Sequence, residues 1–147
     1  MNKYSDKLNL PLGVILGKTL RELHLAMQTR LNKELAELDL TIEHLRLLKI
    51  VSEHPGCDQN FLANNTQRGK SAMTRIISTM IDNGYLEKSQ SQTDGRANLI
   101  YATEKGKLLA DKGLEKVTQL TNDLFGTNEK DLMTLIALAN KTIEKLK

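Results

Sequence analysis

The stretch GKSAMTRIISTMIDNGYLEKSQSQTDGRANLIYA, Gly69 to Ala102, decides the fold. Met73, Ile76, Ile77, Met80 and Ile81 follow the i, i+3, i+4, i+7, i+8 spacing of one buried helix stripe. Ser71, Thr74, Arg75, Ser78 and Asp82 fall on the opposite face. Asn83-Gly84 ends this helix, because glycine enters the left-handed conformation of a C-cap without steric penalty. The period then changes from helical to extended. Tyr85 to Lys88 reads as one strand, and Arg96 to Ala102 as a second with Leu99, Ile100 and Tyr101 at its centre. Between them, Ser89 to Thr93 holds no apolar residue and Asp94-Gly95 is a turn signal.

Working outward, the upstream chain is helical. From Pro11, the residues Leu12, Leu16, Leu20, Leu23, Met27, Leu31, Leu35 and Leu38 recur every three or four positions, as one long amphipathic helix requires. Leu38-Asp39-Leu40 reads as a joint. Thr41 offers a capping oxygen to a second helix carrying Ile42, Leu45, Leu48 and Val51, and His54-Pro55-Gly56 stops it. Asp58 caps a short third helix with Phe61, Leu62 and Ala63. Downstream, Thr103 caps a helix through Leu109, Val117, Leu120 and Leu124 that ends at Gly126. Thr127 or Asn128 starts the last, with Leu132, Leu135, Ile136, Ala139, Ile143 and Leu146 on one face. Three helices followed by a hairpin form a winged helix-turn-helix, so the fold class is mainly α with a two-stranded β-wing. The outer helices are longer than so small a domain needs.

Composition narrows the function. At 147 residues the chain is one domain's worth, with 39% apolar and 27% charged residues. Aromatics are 3% and Trp is absent, so Leu, Ile, Val, Ala and Met must fill the core. Few rings also argue against single-strand binding by base stacking. One cysteine, Cys57, excludes a disulfide framework and any Cys-rich zinc module. No apolar run is long enough to span a membrane. The N-terminal apolar cluster is broken by Arg21 and Glu22 with no cleavage site after it, so a signal peptide is not expected and the cytoplasm is the expected compartment. There is no phosphate loop, nucleophile elbow or metal-spaced pair, so no enzyme and no cofactor are expected.

A helix that reads DNA needs an apolar stripe for docking, short polar and basic side chains outside, and an open N-terminus facing phosphate. The segment from Gly69 to Ser78 has all three. Arg75 can fork onto guanine, and Ser71 or Thr74 can meet a phosphate or a base edge. In the hairpin, Asp94 stands two residues from Arg96 and can brace its guanidinium for a narrow minor groove. The chain has 21 basic and 18 acidic residues, a formal +3. Thr66 to Lys107 holds seven basic residues (Arg68, Lys70, Arg75, Lys88, Arg96, Lys105, Lys107) against four acidic ones (Asp82, Glu87, Asp94, Glu104), the same +3. The rest is neutral.

The run of Leu40-Thr41, Leu62-Ala63, Lys70 to Arg75, Asn83 to Lys88, Asp94-Gly95-Arg96 and Thr103 to Gly106 resembles the multiple antibiotic resistance regulator (MarR) family. The likeness spans nearly the whole chain. It implies a homodimeric repressor of transcription, with residues 1–38 and 104–147 as dimerisation helices around a DNA-binding domain at 39–103. It also implies a palindromic double-stranded operator, and relief by a small phenolic or other aromatic anion. The residues expected at DNA are Arg68, Lys70, Ser71, Ala72, Thr74, Arg75, Ser78, Lys88, Asp94 and Arg96. The sequence departs from the family pattern at Gln67-Arg68-Gly69, where Gly, an apolar residue and a Ser or Thr cap are usual. Arg68 is therefore expected to turn to solvent and meet a phosphate. Gly95 replaces a frequent Arg, and Ala102 a common Leu. The alternatives are a winged helix that docks protein rather than DNA, and a metal- or redox-sensing regulator using Cys57 or the histidines His24, His44 and His54.

Overall fold

The structure is a computed structural model that describes residues 10–90, 92–93, 95, 98–126 and 128–147. Helix α1 (Leu12–Leu35) starts behind Pro11, whose φ of −57° suits a first turn and whose carbonyl accepts from the Val14 N–H at 2.9 Å. The apolar repeat predicts helix as far as Leu38. Instead the chain tightens into a 3-10 turn over Ala36–Leu38, and Asp39 takes φ +52°. Packing is the reason: the Leu40 N–H returns to the Leu35 carbonyl at 3.2 Å, and the turn buries both leucines. Asn32 of α1 also accepts from the Ile42 N–H at 2.8 Å, satisfying an orphan donor of the next helix.

Helices α2 (Ile42–Glu53), α3 (Gln59–Thr66) and α4 (Lys70–Asp82) follow. The expected caps are in place. Thr41 Oγ1 accepts from the His44 N–H at 3.1 Å, and Asp58 Oδ1 from the Phe61 N–H at 2.8 Å. At the end of α4, the Tyr85 N–H bonds the Met80 carbonyl (2.9 Å) and the Gly84 N–H the Ile81 carbonyl (2.8 Å), with Gly84 at φ +75°. That is the paired C-cap which glycine permits.

Strands β1 (Leu86–Gln90) and β2 (Asn98–Ala102) pair antiparallel, Leu86 opposite Ala102 and Gln90 opposite Asn98. Ser89 and Gln90 belong to β1, two residues beyond the expected end. Their backbones pair with Leu99 and Asn98 while their side chains stay exposed, so no apolar pattern was needed to extend the strand. Cys57 bridges the other side of β2, through Gly56 N–H to the Ile100 carbonyl and Ile100 N–H to the Cys57 carbonyl, both 2.9 Å.

Helix α5 (Glu104–Phe125) returns across the domain, and α6 (Glu129–Leu146) follows from Asn128; Thr127 lies outside the described residues. Thr103 caps α5 through the Gly106 N–H at 3.0 Å and donates to the Gly84 carbonyl at 2.7 Å. Lys116 of α5 meets Glu37 at 2.7 Å, bracing the α1–α2 joint and holding the Glu37 carboxyl below its usual range through that hydrogen bond.

The core lies in the winged domain. Leu48, Val51, Leu62, Ile77 and Ile100 are fully buried, and Met73, Met80 and Leu86 nearly so. Each is worth roughly 1.5–3 kcal/mol against exposure. The outer helices differ. Only Leu31 and Leu35 of α1 are buried, and no residue of α6 is. Leu12, Leu16, Leu20, Met133, Ile136 and Leu146 remain exposed. Among the described residues, no helix is long and apolar enough to cross a membrane.

Candidate nucleic-acid interface

The turn between α3 and α4 sets where α4 points. Gln67 stands where the family pattern has glycine, and it takes the left-handed conformation itself, at φ +55°. For a non-glycine residue this costs on the order of 1 kcal/mol. The Arg68 N–H then reaches the Ala63 carbonyl at 3.2 Å, and Gly69 precedes α4 with no side-chain cap bond. The first-turn N–H groups of α4 and the positive end of its dipole are left open.

Met73, Ile77 and Met80 anchor α4 in the core, with Ile76 and Ile81 half-buried beside them. The opposite face carries the expected residues. Lys70, Ser71, Thr74, Arg75 and Ser78 are exposed, and Ala72 is half-buried. Lys88 is exposed on β1. Lys70, Arg75 and Lys88 make no ion pair among the described residues. Asp94 and Arg96, the expected wing pair, lie outside the described residues.

Three basic residues counted toward the +3 are committed elsewhere. Arg68 is exposed, as expected, yet its guanidinium pairs with Glu43 in the first turn of α2. Lys105 donates to the Asn83 carbonyl at 2.9 Å and lies 4.9 Å from the centre of the Tyr85 ring. A cation there compensates the C-terminal end of α4. Lys107 pairs with Glu104 at 2.9 Å. Among the described residues, the cations of this segment left without an ion pair or a backbone partner are therefore Lys70, Arg75 and Lys88, fewer than residue counting indicates.

Two residues absent from the sequence reading belong to this surface. Glu43 holds Arg68, and Gln59, the first residue of α3, hydrogen-bonds both the Lys70 carbonyl and the Thr74 hydroxyl. Neither carries a local signal, because each partner lies on another element. Cys57 is half-buried under the wing, and burial pushes its thiol pKa up, away from the reactive thiolate.

A buried-stripe helix with an open, basic N-terminal face, set between a short positioning helix and a β-hairpin, defines a winged helix-turn-helix protein. The MarR family model matches residues 40–97, from the start of α2 into the wing. The match covers 58 of the chain's 147 residues, and over that segment the chain is similar to the MarR family of transcriptional regulators. It is 28% identical over 125 residues to the HTH-type transcriptional regulator YybA of Bacillus subtilis (strain 168), covering 82% of this chain and 83% of YybA. It is 24% identical over 113 residues to the HTH-type transcriptional repressor IacR of Pseudomonas putida, covering 77% of this chain and 65% of IacR. In fold it is similar to a cysteine-to-serine mutant of MarR from E. coli complexed with operator DNA: TM-score 0.81, 19% identity, 97% of this chain and 99% of that one. It is likewise similar to the regulator BldR from Sulfolobus solfataricus, with TM-score 0.74, 23% identity and coverage of 96% and 99%.

Proposed function

We propose that this chain is a homodimeric repressor that binds a palindromic double-stranded operator, placing α4 in the major groove. One observation carries the reading: the N-terminal face of α4 is exposed, uncapped and basic while its other face is locked in the core. Lys70 and the open N–H groups meet phosphate, and Arg75 meets a base edge. The operator complex of the E. coli MarR mutant and the repressor name of IacR support the assignment. The protein acts by binding rather than catalysis, in the cytoplasm.

Dimerisation follows from the exposed apolar faces of α1 and α6. Met133 and Leu146 are 62% and 82% exposed, which a stable α6 needs a second surface to cover. A second copy places two α4 helices about one DNA turn apart, roughly 34–36 Å. Relief by a small aromatic or phenolic anion completes the reading. A groove of about 370 Å³ at the α1–α5 junction is lined by Leu23, Ala26, Met27, Arg30, Leu124 and Phe125. It offers apolar walls, one ring and one cation, which is the chemistry such an anion requires. A thermal-shift screen with salicylate-like anions tests that part.

The test of the main reading is a titration of the purified protein with its own upstream DNA over a range of salt. Affinity should fall steeply as salt rises, through release of counterions from phosphate. Absence of salt-sensitive binding at any concentration would assign the winged domain to protein docking instead.

A further inference from the structure

Gln59 and Thr74 are fifteen residues apart in sequence and meet where α3 crosses the first turn of α4. The Gln59 amide nitrogen donates to the Lys70 carbonyl at 3.2 Å and to the Thr74 hydroxyl oxygen. Chemistry dictates this orientation of the amide, since a carbonyl only accepts and the group facing it must carry hydrogen. The nitrogen has two hydrogens, so both bonds form together. Thr74 Oγ1 is then an acceptor toward Gln59, and its own hydrogen goes to the Lys70 carbonyl at 2.9 Å. The hydroxyl cannot donate outward: its hydrogen is spent within the helix, and Gln59 fills one of its two lone pairs. Thr74 is nonetheless exposed, and its methyl is the group without a polar commitment. The anchor is firm at its other end, because the Asp58 cap fixes the first turn of α3.

We propose that Gln59 is a positioning residue that sets the base preference of α4: by tying up the Thr74 hydroxyl, it makes Thr74 read the 5-methyl group of thymine instead of a hydrogen-bonding base edge. This rests on the placement of α4 in the major groove proposed above. A freely rotating threonine hydroxyl donates or accepts and discriminates poorly among base edges. A threonine that cannot donate and has one lone pair filled keeps a single acceptor site and its methyl, so its discrimination among bases shifts toward shape and apolarity. In the major groove of unmodified DNA, the thymine methyl is the apolar group that matches it.

The test uses the full-length protein and a duplex selected by it from a random-sequence pool, with each thymine replaced in turn by deoxyuracil, which lacks the methyl. At one position per half-site, wild-type binding should weaken roughly three- to fivefold, the effect of one buried methyl group. Thr74→Ser, with a hydroxyl and no methyl, should bind the thymine and deoxyuracil duplexes equally. Thr74→Val should keep the thymine preference. Gln59→Ala should lose most of it while keeping the wild-type dependence on salt, since no phosphate contact is removed. Should Gln59→Ala fail to fold, Gln59→Met, of similar length and without a donor, makes the same comparison. Indifference of the wild type to deoxyuracil at every position overturns the proposal, as does full preference in the Gln59 variant or its loss in Thr74→Val. A pool that yields no enriched sequence overturns the DNA-binding reading itself, and the proposal with it.

Discussion

Replacing Gly106 by alanine sets helix propensity against packing. Gly106 lies in the first turn of α5, where alanine is the better helix former by about 1 kcal/mol. Its missing side chain faces the end of α4. A Cβ there would stand 2.1 Å from the Tyr85 carbonyl oxygen, 3.0 Å from its carbon and 3.2 Å from Leu48 Cδ2. Two of these atoms are backbone and cannot swing aside. Relief needs about 1 Å of separation between α5 and the turn that leads into β1, given ordinary contact distances near 3.5 Å. That movement strains two bonds at one point, Thr103 N–H to the Tyr85 carbonyl at 3.1 Å and Thr103 Oγ1 to the Gly84 carbonyl at 2.7 Å. Each is worth about 1 kcal/mol, and overpacking adds about 1–3 kcal/mol. Less the propensity gain, Gly106→Ala should destabilise by about 2–4 kcal/mol. Thermal unfolding at fixed protein concentration should show Tm lower by roughly 5–15 °C for a chain of this size. Gly113→Ala is the internal comparison and should cost less, because its Cβ meets the mobile end of Leu45, Cδ1 at 2.9 Å. A Gly106→Ala protein as stable as wild type would mean that α5 and the Tyr85 turn accommodate the methyl group without loss.

Three further outcomes are expected. Arg75→Ala should lose about 1–3 kcal/mol of specific binding and relax the preference at one base pair, as read by gel-shift titration on cognate and scrambled duplexes. Glu43→Gln should free the Arg68 guanidinium for phosphate. DNA affinity should then rise, and the plot of log affinity against log salt should steepen by about 0.9, one added phosphate contact; an unchanged slope would show that Arg68 stays off the DNA. His44 is half-buried, and desolvation lowers its pKa below the ordinary 6.5, against the opposing pull of Glu43. Between those two pKa values the unfolded chain binds more protons, so stability is full above about pH 6.5 and falls as acid titrates the folded imidazole. Urea unfolding of His44→Gln should show a flatter dependence on pH through that window.

Much of the fold was legible because its signals are local. Thr41, Asp58 and Thr103 each cap a backbone N–H three residues on, and Gly84 closes α4 from two residues past its end. The stripe of Met73, Ile77 and Met80 is read from helical spacing alone and is buried as read. The end of α1 was less legible. Its leucine repeat continues to Leu38, but the demand that Leu35 and Leu40 share one core turns the chain at Ala36. The length of β1 was missed for the opposite reason, since Ser89 and Gln90 pair through backbone groups that all residues share.

At the candidate site the division is between which side chains are present and which are available. Sequence alone determined the three-helix core, the hairpin, and the presentation of Lys70, Ser71, Thr74 and Arg75 on one face of α4, because helical periodicity and capping act within a few residues. Only the tertiary structure decided that Arg68 is held by Glu43, that Lys105 closes the end of α4, and that Gln59 donates to the Thr74 hydroxyl oxygen. These pairs join residues on different elements, and their distances depend on how those elements cross. A formal +3 is a property of composition, whereas the field at an interface depends on which charges have already found partners.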